Sequence, residues 1–172
     1  MGAGGSRSVA DELAWLRNAV GAVPGPFDVW LAHRGLKSLR VRALAASASA
    51  LEIARRASAL PGVVDVLYPG LDAHPGHDLA TRQMDAFGVV VSLRCTSAEV
   101  ARAVCERTRL FALAVSLGAV ESLIEHPASM THATKAGSAQ EVPDDLVRLS
   151  VGLEDVEDLW ADLQQAFAGA SG

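Results

Sequence analysis

Apolar and polar positions recur along this chain with two different periods, and the change of period divides it. From Ala10 the period is helical. Leu13, Leu16 and Val20 share a face, and Asp11 and Glu12 stand near the N-terminal end, where the helix dipole favours acids. Pro24 and Pro26 in VPGPF interrupt that helix. Asp28 then opens an Ala- and Leu-rich helical segment reaching about Ala59, with room for a break near Gly35. Trp30, Leu36, Leu39 and Leu51 are expected on its packed face.

Beyond Ala59 the period shortens. The β-branched run Val63 to Tyr68 lies between two Pro/Gly signals and predicts a strand. HPGHDLATRQM predicts a short helix and FGVVVSLRC a second strand, in which the unbroken Val89-Val90-Val91 implies burial on both faces. TSAEVARAVCERT predicts an amphipathic helix opened by a capping box, with the Thr96-x-x-Glu99 register fitting the pattern and Ser97 the other candidate cap. LFALAVSLG reads as a third strand ending in a glycine turn. Residues Glu121 to Asp145 are expected to be irregular. LVRLSVGLED is a fourth strand, and DVEDLWADLQQAF a closing helix with Val156, Leu159, Leu163 and Phe167 on one face. The predicted class is an α+β sandwich: about four strands, mostly antiparallel, with helices on one face. Residues 1–9 are expected to be a flexible tail and 10–172 a single domain.

Composition narrows the function classes. The chain has 172 residues, is 50% hydrophobic and carries a net charge of -5, with both signs mixed along it. That suits one globular core and offers no basic stripe for nucleic acid. Its apolar runs are shorter than the ~18 residues of a membrane span, and a cytoplasmic location is expected. MGAGGS satisfies the N-myristoylation pattern through Gly2 and Ser6, but a Gly-rich flexible start explains the same residues. Cys95 and Cys105 match no metal or redox spacing and read as free thiols.

Candidate chemistry is sparse. His74 and His77 lie near Asp72 and Asp78, but Pro75 and Gly76 between them oppose a regular helix, so surface loop histidines are expected rather than a metal site. His126 and His132 flank PASMT without an acid or cysteine to complete a site. Ser116 precedes a Leu-Gly turn and lacks the G-x-S-x-G elbow. Thr134-Lys135 beside His132 has the local look of a pyridoxal-phosphate (PLP) lysine site. Arg148 stands inside an apolar strand and needs an anionic partner if buried. Two readings are equally open on the residues alone: a salt bridge to a local acid such as Asp144, or a bidentate clamp for a substrate carboxylate.

Several long segments then carry a resemblance over Ala10 to Ala168. GPFDVWLAHRGLKSL, YPGLDAHPGHDLATRQM, SLGAVESLIEHPASMTHAT and LVRLSVGLEDVEDLWADLQQA resemble, in order, the C-terminal domain of the PLP-dependent Cys/Met metabolism enzymes, the trans-sulfuration family. The resemblance implies the small domain of a fold-type I PLP enzyme. It implies that the large domain, with the Schiff-base lysine in an S-x-T-K context, belongs upstream and outside this chain. Lys135 then falls in the M-T-H-A-S segment, where the family has no cofactor lysine, and Lys37 falls in a structural helix.

By the same resemblance three substrate-binding positions carry over. Arg148 matches the arginine that clamps the substrate α-carboxylate, Ser116 the serine of the A-E-S-L-G turn, and Thr131 the threonine of M-T-H. The chain departs from the family at Val115, which replaces that turn's glutamate, and at Ala46 and Ser49, which replace a His and an Asn. Val115 favours a substrate with an uncharged distal group over one with a second ammonium.

The expected function is the small subunit of a split PLP enzyme. It would act on a sulfur- or oxygen-bearing amino acid by β- or γ-elimination or substitution, with PLP present only in complex with a separately encoded large domain. Without nucleic-acid or membrane partners, the chain should form a hetero-oligomer through an exposed apolar surface. The alternatives are a non-catalytic interaction module or remnant, and a wrongly placed start.

Overall fold

The computed structural model describes residues 7–115, 118–131 and 142–170. It divides into two compact units, residues 1–39 and 40–172. The first holds α1 (Arg7–Val20) and α2 (Pro26–Leu36). The helix begins before Ala10; the rest of the predicted tail, residues 1–6, lies outside the described residues. Pro26 opens α2 rather than merely ending α1, because a proline at the first helical turn gives up an N–H that has no intrahelical partner. Phe27 stacks on Trp30 with ring centroids 5.8 Å apart. The helical spacing of Leu13, Leu16 and Val20 holds, but these residues are exposed, as are Trp15, Trp30 and Leu36.

The second unit runs α3 (Leu39–Ala57), β1 (Val63–Leu67), α4 (His77–Gln83), β2 (Val90–Cys95), α5 (Ala98–Arg107), β3 (Ala112–Leu113), β4 (Leu123–Glu125), α6 (Pro127–Met130), β5 (Leu146–Ser150) and α7 (Val156–Ala170). The strands form one five-stranded sheet in the order β1-β2-β5-β4-β3. Its pairings are antiparallel except β3 with β4, which is parallel. The expected α+β fold is therefore present with one strand more than predicted. The extra strand is β4, inside the stretch expected to be irregular. Three residues before His126-Pro127 are too few to display a period of two.

Strand alternation gives the sheet two unlike faces. Val91, Leu93 and Cys95 of β2, Ile124 of β4, and Val147 and Leu149 of β5 are fully buried with Ile53 and Ala54 of α3, Val104 of α5, and Leu159, Leu163 and Phe167 of α7. Helices α3, α5 and α7 share this face, as the sequence predicts. The intervening positions, Val90, Ser92 and Arg94 on β2 and Leu146 and Arg148 on β5, are only half-buried. Burial of Val89-Val90-Val91 on both faces is thus not found. Only Val91 reaches the core, because this antiparallel sheet has its helices on one side. Core burial also pushes the free thiols of Cys95 and Cys105 up to about 12, which keeps them protonated and unreactive.

Polar groups close the helix ends and loops. Ser97, not Thr96, caps α5, accepting from the Val100 N–H at 3.3 Å. Asp162 interrupts the apolar face of α7 for a reason: it accepts from the N–H groups of Arg109 at 2.8 Å, Leu110 at 2.8 Å and Phe111 at 3.1 Å, in the turn that leads into β3.

A comparable clasp follows β5. The Ser150 hydroxyl accepts from Gly118 N–H at 3.1 Å. Gly152 N–H donates to the Ser122 hydroxyl at 2.8 Å, and the Glu154 carboxylate accepts from the Ser122 N–H at 2.7 Å and its hydroxyl at 2.8 Å. The S-x-G-x-E spacing of Ser150, Gly152 and Glu154 thereby ties the loop 118–122 to the end of the strand that carries Arg148. A Cβ on Gly152 would meet the Val120 carbonyl oxygen at 2.4 Å and the Glu121 carbonyl carbon at 2.6 Å, so only glycine permits the approach.

Gly152→Ala is expected to push this loop away and to destabilise the fold by about 1–3 kcal/mol, read as a lower urea midpoint. Burial pulls the Glu154 carboxyl upward, but its hydrogen bonds with Ser122 outweigh that and leave it below its usual value. Its contribution to stability is therefore complete above the ordinary glutamate pKa of ~4.3 and is lost as the pH falls through the lower folded value. Glu154→Gln should flatten the acid limb of the stability–pH curve, measured by urea unfolding at successive pH values.

Candidate functional site

Arg148 lies on the inner strand β5, directly opposite Ser92 on β2 and Glu125 on β4. Alternation sends Val147 and Leu149 into the core and Arg148 to the opposite face of the sheet. Its side chain is 27% exposed, and Nη2 stands 2.7 Å from Oε1 of Glu125, whose side chain is only 2% exposed. This approach is a charge contact without hydrogen-bond alignment, since neither Glu125 oxygen receives a well-directed N–H. An ion pair of the kind the first reading describes is present, but its acid is Glu125 rather than a sequence neighbour such as Asp144. Asp144 contributes its backbone carbonyl to His126 instead. A strand register, not sequence proximity, selects the acid.

A second arginine on the same face shows what a saturated pair looks like. Arg94 binds Asp145 through Nε at 2.7 Å and Nη2 at 2.8 Å, a planar fork on both carboxylate oxygens. Hydrogen bonding to Asp145 raises the Arg94 pKa further. Arg94 is thereby committed. Arg148 is engaged at one nitrogen among the described residues and keeps donor capacity for an anion.

β4 leads through His126 into α6. His126 is 3% exposed and N-caps that helix. Its Nδ1 lies 2.8 Å from the Ser129 hydroxyl and its Nε2 contacts the Asp144 carbonyl, so a neutral ring with the proton on Nε2 satisfies both contacts. The imidazole thus ties α6 to the loop entering β5. Thr131 is the C-cap of α6, exposed, with its hydroxyl donating to the Pro127 carbonyl at 3.4 Å. The structure therefore brings Arg148 and the segment leading to Thr131 onto adjoining strands. Ser116, His132 and Lys135 lie outside the described residues. Val115, just before Ser116, is exposed.

The remaining histidine pair is used locally. His77 Nδ1 meets the Pro69 carbonyl at 2.8 Å, its ring stacks on Phe87, and Nε2 lies 3.5 Å from Asp72. His74 Nδ1 accepts from the Gly76 N–H at 3.0 Å. Among the described residues no group of three or more His, Cys, Asp or Glu is placed to hold a metal ion. No helix among them is long and apolar enough to cross a membrane. Ala46, at the family's histidine position, is buried in α3, and Ser49 is half-buried. Glu125 is the residue that the sequence does not single out; an acid beside a histidine before a proline carries no signal until the strand register is known.

The Cys/Met metabolism PLP-dependent enzyme family matches residues 3–168. Cystathionine gamma-synthase of Mycobacterium tuberculosis is 56% identical over 157 residues, 91% of this chain and 40% of that protein. Cystathionine beta-lyase of Lactococcus lactis is 46% identical over 94% of the chain and 43% of its own length. The crystal structure of metB from Corynebacterium glutamicum superposes with a TM-score of 0.89 at 47% identity, covering 95% of this chain and 43% of that one. The chain thus spans less than half the length of these relatives. On this match, and on the fold that accompanies it, the chain belongs to the Cys/Met metabolism PLP-dependent enzyme family.

Proposed function

We propose that this chain supplies the substrate-carboxylate half of a PLP-dependent trans-sulfuration-type enzyme, with the cofactor-holding half provided by a separate large domain. The observation that carries the reading is Arg148: a partly exposed guanidinium on an inner strand, held at one nitrogen by a buried acid. A planar donor fixed this way suits a carboxylate, whose two oxygens accept parallel N–H bonds.

The described residues do not by themselves fit a PLP cradle. The lysine among them, Lys37, is the exposed C-cap of α2. PLP, held by the large domain, would supply the electron sink for reaction at Cα. This chain's residues bind and orient. Arg148 grips the α-carboxylate, which restricts rotation of the amino acid and fixes the direction of its Cα–H bond. Val115 presents an exposed apolar side chain where an acid would attract a second ammonium, so an amino acid with an uncharged sulfur- or oxygen-linked group is the preferred substrate class. Thr131 and Ser116, the other two positions that the family resemblance carries over, would contact the same substrate. Trp15, Phe27 and Trp30, all more than half exposed, provide the apolar surface for the large domain or other subunits.

Co-expression with the PLP-binding portion of a cystathionine gamma-synthase tests this. The expected result is a stable complex with the cofactor's visible absorbance and amino-acid turnover. Arg148→Lys in that complex should lower kcat/KM about 100-fold, equivalent to ~2.7 kcal/mol of lost carboxylate binding. Failure to form a complex contradicts the split arrangement, and turnover unaffected by Arg148→Lys contradicts the clamp.

A further inference from the structure

We infer that Glu125 is the positioning residue for Arg148: it holds Nη2 from across the β4–β5 ladder so that the remaining N–H groups of the guanidinium face an incoming carboxylate. The inference rests on the clamp reading above and deepens it.

The first support is an imbalance in hydrogen bonding. Carboxylates elsewhere in this unit are well satisfied. Asp162 accepts from three successive N–H groups, Asp145 receives a two-nitrogen fork, and Glu154 takes both donors of Ser122. Glu125 is more buried than Asp145, yet both of its oxygens lack an aligned donor. A buried charge with one imperfect partner costs several kcal/mol of desolvation that the contact only partly offsets. A residue serving the fold alone would be better apolar, and the flanking Leu123 and Ile124 are.

The second support is the register. Glu125 and Arg148 are direct cross-strand neighbours, so the ladder fixes both backbones. On the opposite side Arg148 faces Ser92, whose small side chain carries no charge to compete with Glu125. Glu125 is thus the contact among the described residues that sets the direction of the fork. Its charge also offsets that of Arg148, so a carboxylate meets a directed pair of donors rather than a full cation. Orientation is gained at the expense of affinity, which favours turnover over tight retention.

The test uses the full chain and the isosteric variant Glu125→Gln. Arg148 guanidinium signals are followed by nitrogen NMR, assigned by their loss in Arg148→Lys, and acetate is titrated as the carboxylate probe. In Glu125→Gln, Nε–H exchange at Arg148 should speed up about tenfold as the side chain loosens. Acetate should bind about fivefold more tightly because the competing charge is gone. In the complex with the large domain the same substitution should lower both KM and kcat.

Unchanged Nε–H exchange overturns the inference while leaving the clamp intact. Faster exchange with no acetate binding in either protein supports the positioning contact and overturns the clamp reading. A Glu125→Gln chain that no longer folds overturns the inference too, because the acid would then serve the fold.

Discussion

The antiparallel placement of β5 between β2 and β4 is the constraint on which the site depends. It decides that Val147 and Leu149 face the helices and that Arg148 does not. A slip of one residue would put a guanidinium into a core of Ile53, Val104 and Leu163 and turn Val147 outward, with no acid nearby to compensate. Register is therefore fixed by the dry face, and as a consequence it sets Glu125 beside Arg148 on the other. The segment Ser150-Val151-Gly152-Leu153-Glu154 extends that control beyond the strand, because its hydroxyl, N–H and carboxylate hold the loop 118–122. The loop 118–122 and the strand bearing Arg148 are thus linked through the Ser150 hydroxyl, the Gly152 N–H and the Glu154 carboxylate.

The two arginines of this sheet face differ in how far their donors are used. Arg94 spends two nitrogens on Asp145 and has a complete charge-assisted fork. Arg148 has one charge contact, to an acid that is itself short of donors. The same residue type, two positions apart in register on neighbouring strands, is finished in one case and open in the other. The first unit shows a related incompleteness on a larger scale. Its helices have the apolar spacing of packed helices, while Trp15, Phe27, Trp30 and Leu36 are exposed. Amphipathic pattern reports that a surface is built to be covered.

Much of the fold was legible because it rests on local periods. The face of α7 is as expected, with Leu159, Leu163 and Phe167 buried, and the break in the Ala-rich helix falls between Leu36 and Leu39. What failed depended on partners distant in sequence. Val89-Val90-Val91 looked doubly buried because a run of valines does not reveal that helices cover only one side. Asp144 looked like the partner of Arg148 because it is near in sequence; the ladder instead chose Glu125. Arg148 and Thr131 stand out through resemblance, whereas the acid beside Arg148 became visible only when three residues, Leu123 to Glu125, proved to be a strand.

The most direct measurement of the central claim is a crystal structure of this chain in complex with a PLP-binding large domain and an amino-acid substrate. The account predicts the substrate carboxylate within hydrogen-bond distance of Arg148, taken by two of its nitrogens, with Glu125 still against Nη2. A carboxylate bound by other residues, with Arg148 contacting Glu125 alone, would contradict it.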